Sequence, residues 1–239
     1  MLATSLKTRK MTKQSVQKEG TAFTLPFLIF TVVFCVCLIV ANLVEIKTVD
    51  VGFTTITAGM VVFPLSYIIN DCIVEVYGFR KARMVIWLGF AMNFFVTVML
   101  QLAIILPGAG EWQSQAAMEA IYGGVPRILT ASFIAFVCGS MVNALVMSKM
   151  KVASNGRYFS LRAILSTVFG EGADSLIFFP LAFWGVFPAD VIVELIVAQT
   201  CLKTLYEIII LPVTIRVVRY IKRIERLDTF DTDIRYSWW

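Results

Sequence analysis

Glu171 and Asp174 stand three residues apart in STVFGEGADSLIFFPLAFWG (166–185), a run that carries no other charge. Tyr67, Asp71 and Glu75 follow i, i+4, i+8 spacing in FPLSYIINDCIVEVYG (63–78), and Gln199, Lys203 and Glu207 repeat that spacing near the other end of the chain. On a helix, residues three or four apart share a face. A carboxylate accepts two parallel N–H bonds in fork geometry, and a lysine beside it can neutralise it. Asn42, Asn93 and Asn143 add amide groups within other apolar runs. Phe63, Tyr67, Phe178, Phe179 and Trp184 lie on or beside the same faces as the acids. Carboxylates flanked by aromatic rings suit capture of a flat, nitrogen-rich solute. Catalysis fits poorly. Histidine is absent, which removes Ser-His and Cys-His chemistry and His-ligated zinc. There is no G-x-S-G, and Gly172-Ala173-Asp174 is only a faint echo of an intramembrane aspartyl motif. No G-x-x-x-x-G-K-[ST] is present either, so the chain carries no P-loop of its own.

The elements that hold these groups must sit in lipid. Of 239 residues, 59% are hydrophobic and 15% charged, with mean hydropathy +0.81. A soluble domain has about 45–50% and ~25%. A bilayer core about 30 Å thick needs ~20 apolar residues per helix. Uncharged runs lie between Glu19 and Glu45, Asp50 and Asp71, Arg83 and Glu111, and Arg127 and Lys149. Two further runs are apolar apart from the acids and lysine named above, with Asp190 and Glu194. The chain therefore reads as all-α, with six transmembrane helices at 25–45, 52–77, 84–106, 128–149, 162–187 and 191–218. A basic segment, 1–24, precedes the transmembrane domain of 25–220, and a tail, 221–239, follows it. The first run is long for a cleaved leader and reads as an uncleaved helix.

Charge asymmetry sets the expected orientation. Lysines and arginines collect on cytoplasmic segments. Eighteen of the 21 fall on the N-terminal segment, the second-to-third and fourth-to-fifth connections, and the C-terminal tail. The connection 107–126 has neither residue. Both termini are thus expected inside, and the net charge of +5 reflects topology rather than nucleic-acid binding. Asn42 before Lys47 loosely echoes Asn143 before Lys149, a hint that helices 1–3 and 4–6 are inverted repeats. The five cysteines, 35, 37, 72, 138 and 201, lie in apolar stretches and read as reduced thiols.

Each candidate has a plain structural alternative. Glu75, near the cytoplasmic end of its span, could snorkel or pair with Arg80 or Arg83. Asp71 lies roughly 10 Å deeper than Gly78, and Asp174 roughly 18 Å along the axis from Arg162, near mid-membrane. Buried charges at such depth cost several kcal/mol and mark functional sites by default. Lys203 is expected to neutralise Asp174 or Glu207. The asparagines could simply join helices by hydrogen bonds. Pro64 should kink the second span.

The segments FPLSYIINDCIVEVYGFRKAR (63–83), RILTASFIAFVCGSMVNALV (127–146) and STVFGEGADSLIFFPLAFWG (166–185), with KTLYEIIILP (203–212), resemble the queuosine precursor transporters, also called the vitamin uptake transporter family. The resemblance covers about 40–220. It implies a secondary or facilitated carrier in the bacterial inner membrane that imports 7-deazaguanine bases, preQ0, preQ1 or queuine, for tRNA modification. By it, Asp71, Glu75, Arg127, Asp174 and Lys203 match family motif positions; Glu171 is not among them. The candidate substrate residues are Asp174, Glu171, Asp71, Glu75, Tyr67, Asn42, Asn143, Gln199, Lys203 and Glu207. Neither a cofactor nor a metal is expected, and the partners are the deazapurine base and the bilayer, with a homo-oligomer left open. The competing reading is the substrate-binding subunit of an energy-coupling-factor vitamin importer, which would need partner ATPases.

Overall fold

The computed structural model describes residues 23–44, 47–50, 55–123, 126–185, 188–232 and 236. Seven helices make up most of it: α1 (Leu25–Val44), α2 (Phe63–Tyr77), α3 (Phe79–Ile105), α4 (Gln115–Tyr122), α5 (Pro126–Ala153), α6 (Phe159–Phe183) and α7 (Ala189–Glu225). Among the described residues, five stretches are long and apolar enough to cross a membrane: α1, Ala58–Tyr77 with α2, α3, Thr130–Ala153 of α5, and α6. Helix α7 is the longest, at 37 residues, but Asp190, Glu194, Lys203 and Glu207 interrupt its apolar character. The basic segment 1–22 lies outside the described residues.

The packing is inverted relative to a water-soluble protein. Ile105 is 76% exposed and Leu25 70%, whereas Asp71 and Glu171 are fully buried. In lipid the backbone must satisfy itself within each element, and short polar side chains do likewise. Thr31 Oγ1 donates to the Phe27 carbonyl at 2.9 Å, and Asn42 Nδ2 to the Leu38 carbonyl at 3.0 Å.

Two sequence expectations are revised. Residues 52–77 are not one helix: strands β1 (Thr48–Asp50) and β2 (Thr55–Thr57) pair antiparallel, Val49 opposite Ile56, and a 3-10 turn at Ala58–Val61 leads into α2. The chain is therefore helical with one small hairpin. Pro64 does not kink a helix, because it sits in the first turn of α2, where its missing N–H has no intrahelical role. The connection 107–126 contains α4, tied to α3 by Gln115 Nε2 donating to the Ile104 carbonyl at 2.9 Å.

Helix α2 is the hub, packed against α1, α3, α5, α6 and α7. Gly78 separates it from α3 with φ +85°, a conformation glycine adopts without strain. The pair α5–α6 has the most extensive interface, joined by a tight turn and by two facing glycines. A Cβ on Gly139 would lie 2.8 Å from the Gly170 carbonyl oxygen, and one on Gly170 3.0 Å from that of Gly139. Small residues permit this backbone contact.

The C-terminal segment folds back onto the bundle. Asp231 accepts a hydrogen bond from the Phe79 backbone N–H at 2.8 Å, at the start of α3, and another from Ser148.

Candidate functional site

Tyr67, Asp71 and Glu75 lie on one face of α2 in successive turns, and each enters a different polar layer. The layer at Tyr67 combines α2, α6 and α7. Lys203 Nζ donates to Glu171 Oε2 at 2.6 Å and lies 3.4 Å from Asp174 Oδ2. The same ammonium stands 4.3 Å above the Phe63 ring, a cation–π contact. Tyr67 packs against Phe63, ring centres 5.7 Å apart. Its hydroxyl crowds over Gly139 beside Asp174: a Cβ there would be 2.6 Å from the hydroxyl and 2.8 Å from Asp174 Cβ. The two glycines thus let α5 and α6 close around Tyr67 and Asp174.

This layer holds buried polar atoms without partners. The Tyr67 hydroxyl and Glu171 Oε1 are both removed from solvent and make no hydrogen bond. Buried polar groups are almost always satisfied, so an orphan asks for a ligand or a water. The arrangement can therefore accept N–H donors, and Lys203 occupies the acceptors those donors would use.

The next layer lies one turn further along α2. Ser166 Oγ is 3.3 Å from both carboxyl oxygens of Asp71. Asn70 Nδ2 donates to Asn143 Oδ1 at 2.7 Å. Glu207 is 1% exposed, with Oε1 unpartnered, and close enough to Asp71 and Glu171 for their charges to interact.

The third layer is a charge network. Glu75 accepts from Arg162 at 2.5 Å on one oxygen and from Lys222 at 2.5 Å on the other. Lys151 donates to the Glu75 backbone carbonyl at 2.5 Å and bonds Asp228 at 2.5 Å. Lys222 also reaches Asp228, at 2.9 Å. Partial burial alone would raise the Asp228 carboxyl, but hydrogen bonds from Lys151 and Lys222 hold it below its ordinary range.

The sequence-expected residues thus divide. Asp174, Glu171, Tyr67 and Lys203 are brought together. Asp71, Asn143 and Glu207 form the adjacent layer. Glu75 is enclosed by cations, and those cations are Arg162, Lys151 and Lys222 rather than Arg80 or Arg83. Asn42 joins α1 to α5 by accepting from Ser132 Oγ at 3.3 Å. Gln199 is half-buried one turn before Lys203. Phe179 is buried and packs on Phe178, but Trp184 is exposed. The Arg127 side chain lies outside the described residues. Sequence reading overlooked Asn70, Ser166 and Arg162. The first two are polar residues inside spans, a signal in itself; Arg162 was counted only as a loop cation.

Residues 57–217 match the family model described as "Putative vitamin uptake transporter". The chain is 31% identical over 187 residues, 78% of its length and 82% of the relative's, to the "Probable queuosine precursor transporter" of Bacillus subtilis (strain 168). It is 29% identical over 170 residues, 70% of its length and 74% of the relative's, to the "Queuosine precursor transporter" of Escherichia coli (strain K12). No solved structure matches it.

Proposed function

The chain belongs to the vitamin uptake transporter family, and from that premise we propose that it carries queuosine precursors, 7-deazaguanine bases, across the bacterial inner membrane. It acts as a multi-pass carrier, not an enzyme. Five apolar helices and the long, amphipathic α7 make six spans with both termini cytoplasmic, α1–α3 and α5–α7 forming two oppositely oriented groups. The basic segment 1–24 and the tail 221–239 then flank a transmembrane unit of 25–220.

The observation that carries the reading is the acid pair bridged by Lys203 beside the orphaned Tyr67 hydroxyl and Glu171 Oε1. A guanine-like edge presents N1–H and an exocyclic NH₂. Asp174 grips that pair in fork geometry, and Tyr67 donates to the neighbouring ring carbonyl. Glu171, once released from Lys203, meets the aminomethyl cation of a charged precursor. Phe63 lies against the plane of the ring. The empty carrier stores its acceptors on Lys203, which spares them the penalty of an unpaired buried charge.

Uptake into liposomes holding this chain alone tests the reading. Labelled 7-deazaguanine bases are expected to enter, whereas adenine, which lacks the paired N1–H and NH₂ donors, is expected to be excluded. Absence of uptake for every deazaguanine overturns it. Transport without any ATPase also decides against an energy-coupling-factor subunit.

A further inference from the structure

We propose that residues 227–232, with Tyr236, are a latch over the cytoplasmic end of the bundle: seated, they bar the inward exit of solute, and they lift to release it. The inference rests on the transport reading above and on its orientation. Its starting point is where the segment is fastened. Arg226, with φ +51°, turns the chain out of α7, and the segment that follows crosses to the junction of α2 and α3. The Thr229 backbone N–H donates to the Val76 carbonyl at 3.3 Å, and Asp231 accepts the Phe79 N–H at 2.8 Å. Gly78 makes room for both: a Cβ there would lie 2.8 Å from Asp231 Oδ1 and 2.8 Å from Thr229 Cγ2. Glycine has no side chain with which to cap α3. Asp231, 152 positions beyond Phe79, supplies both the cap and the negative charge that a helix N-terminus favours.

The same few residues hold the other helix group. Ser148, near the end of α5, donates to the Asp231 carboxylate. The Tyr236 hydroxyl lies 3.2 Å from that of Ser148, while its ring meets Phe79 with centres 5.3 Å apart. Phe230 lies 4.7 Å from the Lys151 ammonium, a cation–π contact. It also presses on the α5–α6 turn, where a Cβ on Gly156 would come within 2.9 Å of the ring. Asp228 bridges Lys151 and Lys222 at 2.5 and 2.9 Å, which joins the segment to the cations around Glu75. Asp231 is the pin. Its one carboxylate binds the start of α3 and the end of α5 together.

The place of these ties is what matters for transport. Solute leaving the Tyr67 layer for the cytoplasm must pass Asp71 and Glu75 along α2, and there Glu75, Arg162 and Lys151 are all buried. Alternating access requires the groups α1–α3 and α5–α7 to part at this end. They cannot do so while Asp231 holds Phe79 and Ser148 at once. The segment is also suited to letting go. Its ties are mostly polar, so water can replace them. Asp231 is buried, but Asp228 and Phe230 are exposed, and Leu227 and Tyr236 pack only partly buried against the core. Segments held in this way open at low free energy while the rest of the fold persists.

The full chain in proteoliposomes, freed of its native cysteines and given Ser148→Cys with Asp231→Cys, tests this. Joining the pair with a short, reducible thiol cross-linker is expected to cut uptake of labelled 7-cyano-7-deazaguanine by roughly tenfold or more. Binding of the base is expected to persist, and reduction to restore uptake. The same reagent on either single variant is expected to leave uptake unchanged. Ser166→Cys, buried on α6 between Arg162 and Glu171, serves as a reporter in the same cysteine-free chain. Its reaction with a maleimide is expected to quicken when Asp231→Ala is added. Uptake that survives cross-linking, binding lost together with uptake, or labelling that Asp231→Ala does not quicken overturns the latch. If the base neither binds nor enters before cross-linking, the transport reading falls, and the reporter alone decides the latch.

Discussion

Lys203 and Glu171 are joined across the α6–α7 interface by a 2.6 Å hydrogen bond, while the same ammonium stands 3.4 Å from Asp174. Glu171 is thus the principal counter-ion, and Asp174 is held more loosely. Removing the cation strands two buried acids, and breaking a buried pair costs about 3–5 kcal/mol. Lys203→Met should sharply lower the amount of folded protein in the membrane. Adding Glu171→Gln should restore more of it than adding Asp174→Asn. Equal restoration by both second changes, scored by in-membrane thermal unfolding, would contradict this order.

Asp174→Asn keeps the volume but turns half of a two-oxygen acceptor into a donor. A hydrogen bond to a charged group is worth about 1.5–3 kcal/mol, so uptake of deazaguanine should fall by roughly tenfold to a hundredfold. The level of folded protein should hardly change, because Glu171 retains Lys203. Near-normal uptake at normal expression would remove Asp174 from the binding site.

Glu75 serves the structure of the charge network. Glu75→Gln leaves Arg162, Lys151 and Lys222 without their central anion, and the folded fraction should fall. The surviving protein should keep its apparent affinity for solute; a shift in KM with unchanged stability would make Glu75 a ligand instead. Asp228 adds a pH dependence. Its carboxyl is lowered relative to the unfolded chain, so its contribution is complete at neutral pH and is lost as pH falls through the depressed value. Thermal unfolding of Asp228→Asn should accordingly be less sensitive to acidification than that of the unsubstituted protein.

Two glycines of the α5–α6 region should respond in opposite directions to alanine. At Gly139 a Cβ would meet the Gly170 carbonyl oxygen at 2.8 Å, and overpacking of this kind costs about 1–3 kcal/mol. At Gly172 a Cβ meets nothing within 4 Å, and alanine favours helix by about 1 kcal/mol. Unfolding temperatures of Gly139→Ala and Gly172→Ala should therefore fall and rise, respectively. A loss at both positions would mean that Gly172 is needed for local unwinding.

The proposed orientation is open to labelling on intact cells. In a cysteine-free background, Cys at position 113 should react with a membrane-impermeant thiol reagent and Cys at position 17 should not. The reverse pattern would invert the carrier.

How much was legible in the chain depends on the range of the forces involved. Apolar run lengths and the distribution of lysine and arginine are local properties, because a span must satisfy its own backbone and bury no stray charge. That is why the helices appear close to their expected positions, and why Asp71, Glu171, Asp174 and Lys203 stood out as anomalies. Partner choice is not local. Lys203 prefers Glu171 because α6 and α7 meet at a particular height and rotation, and Glu75 finds Arg162 across 87 positions of sequence. Residues 52–62 escaped for a related reason. Their apolarity resembles that of a span, yet backbone pairing of Thr48–Asp50 with Thr55–Thr57 competes with helix, and Pro64 then serves as a starting residue rather than a break. The division of one α2 face into three polar layers, the last of them a charge network, arises from five neighbouring helices converging on it, and no spacing within α2 encodes that.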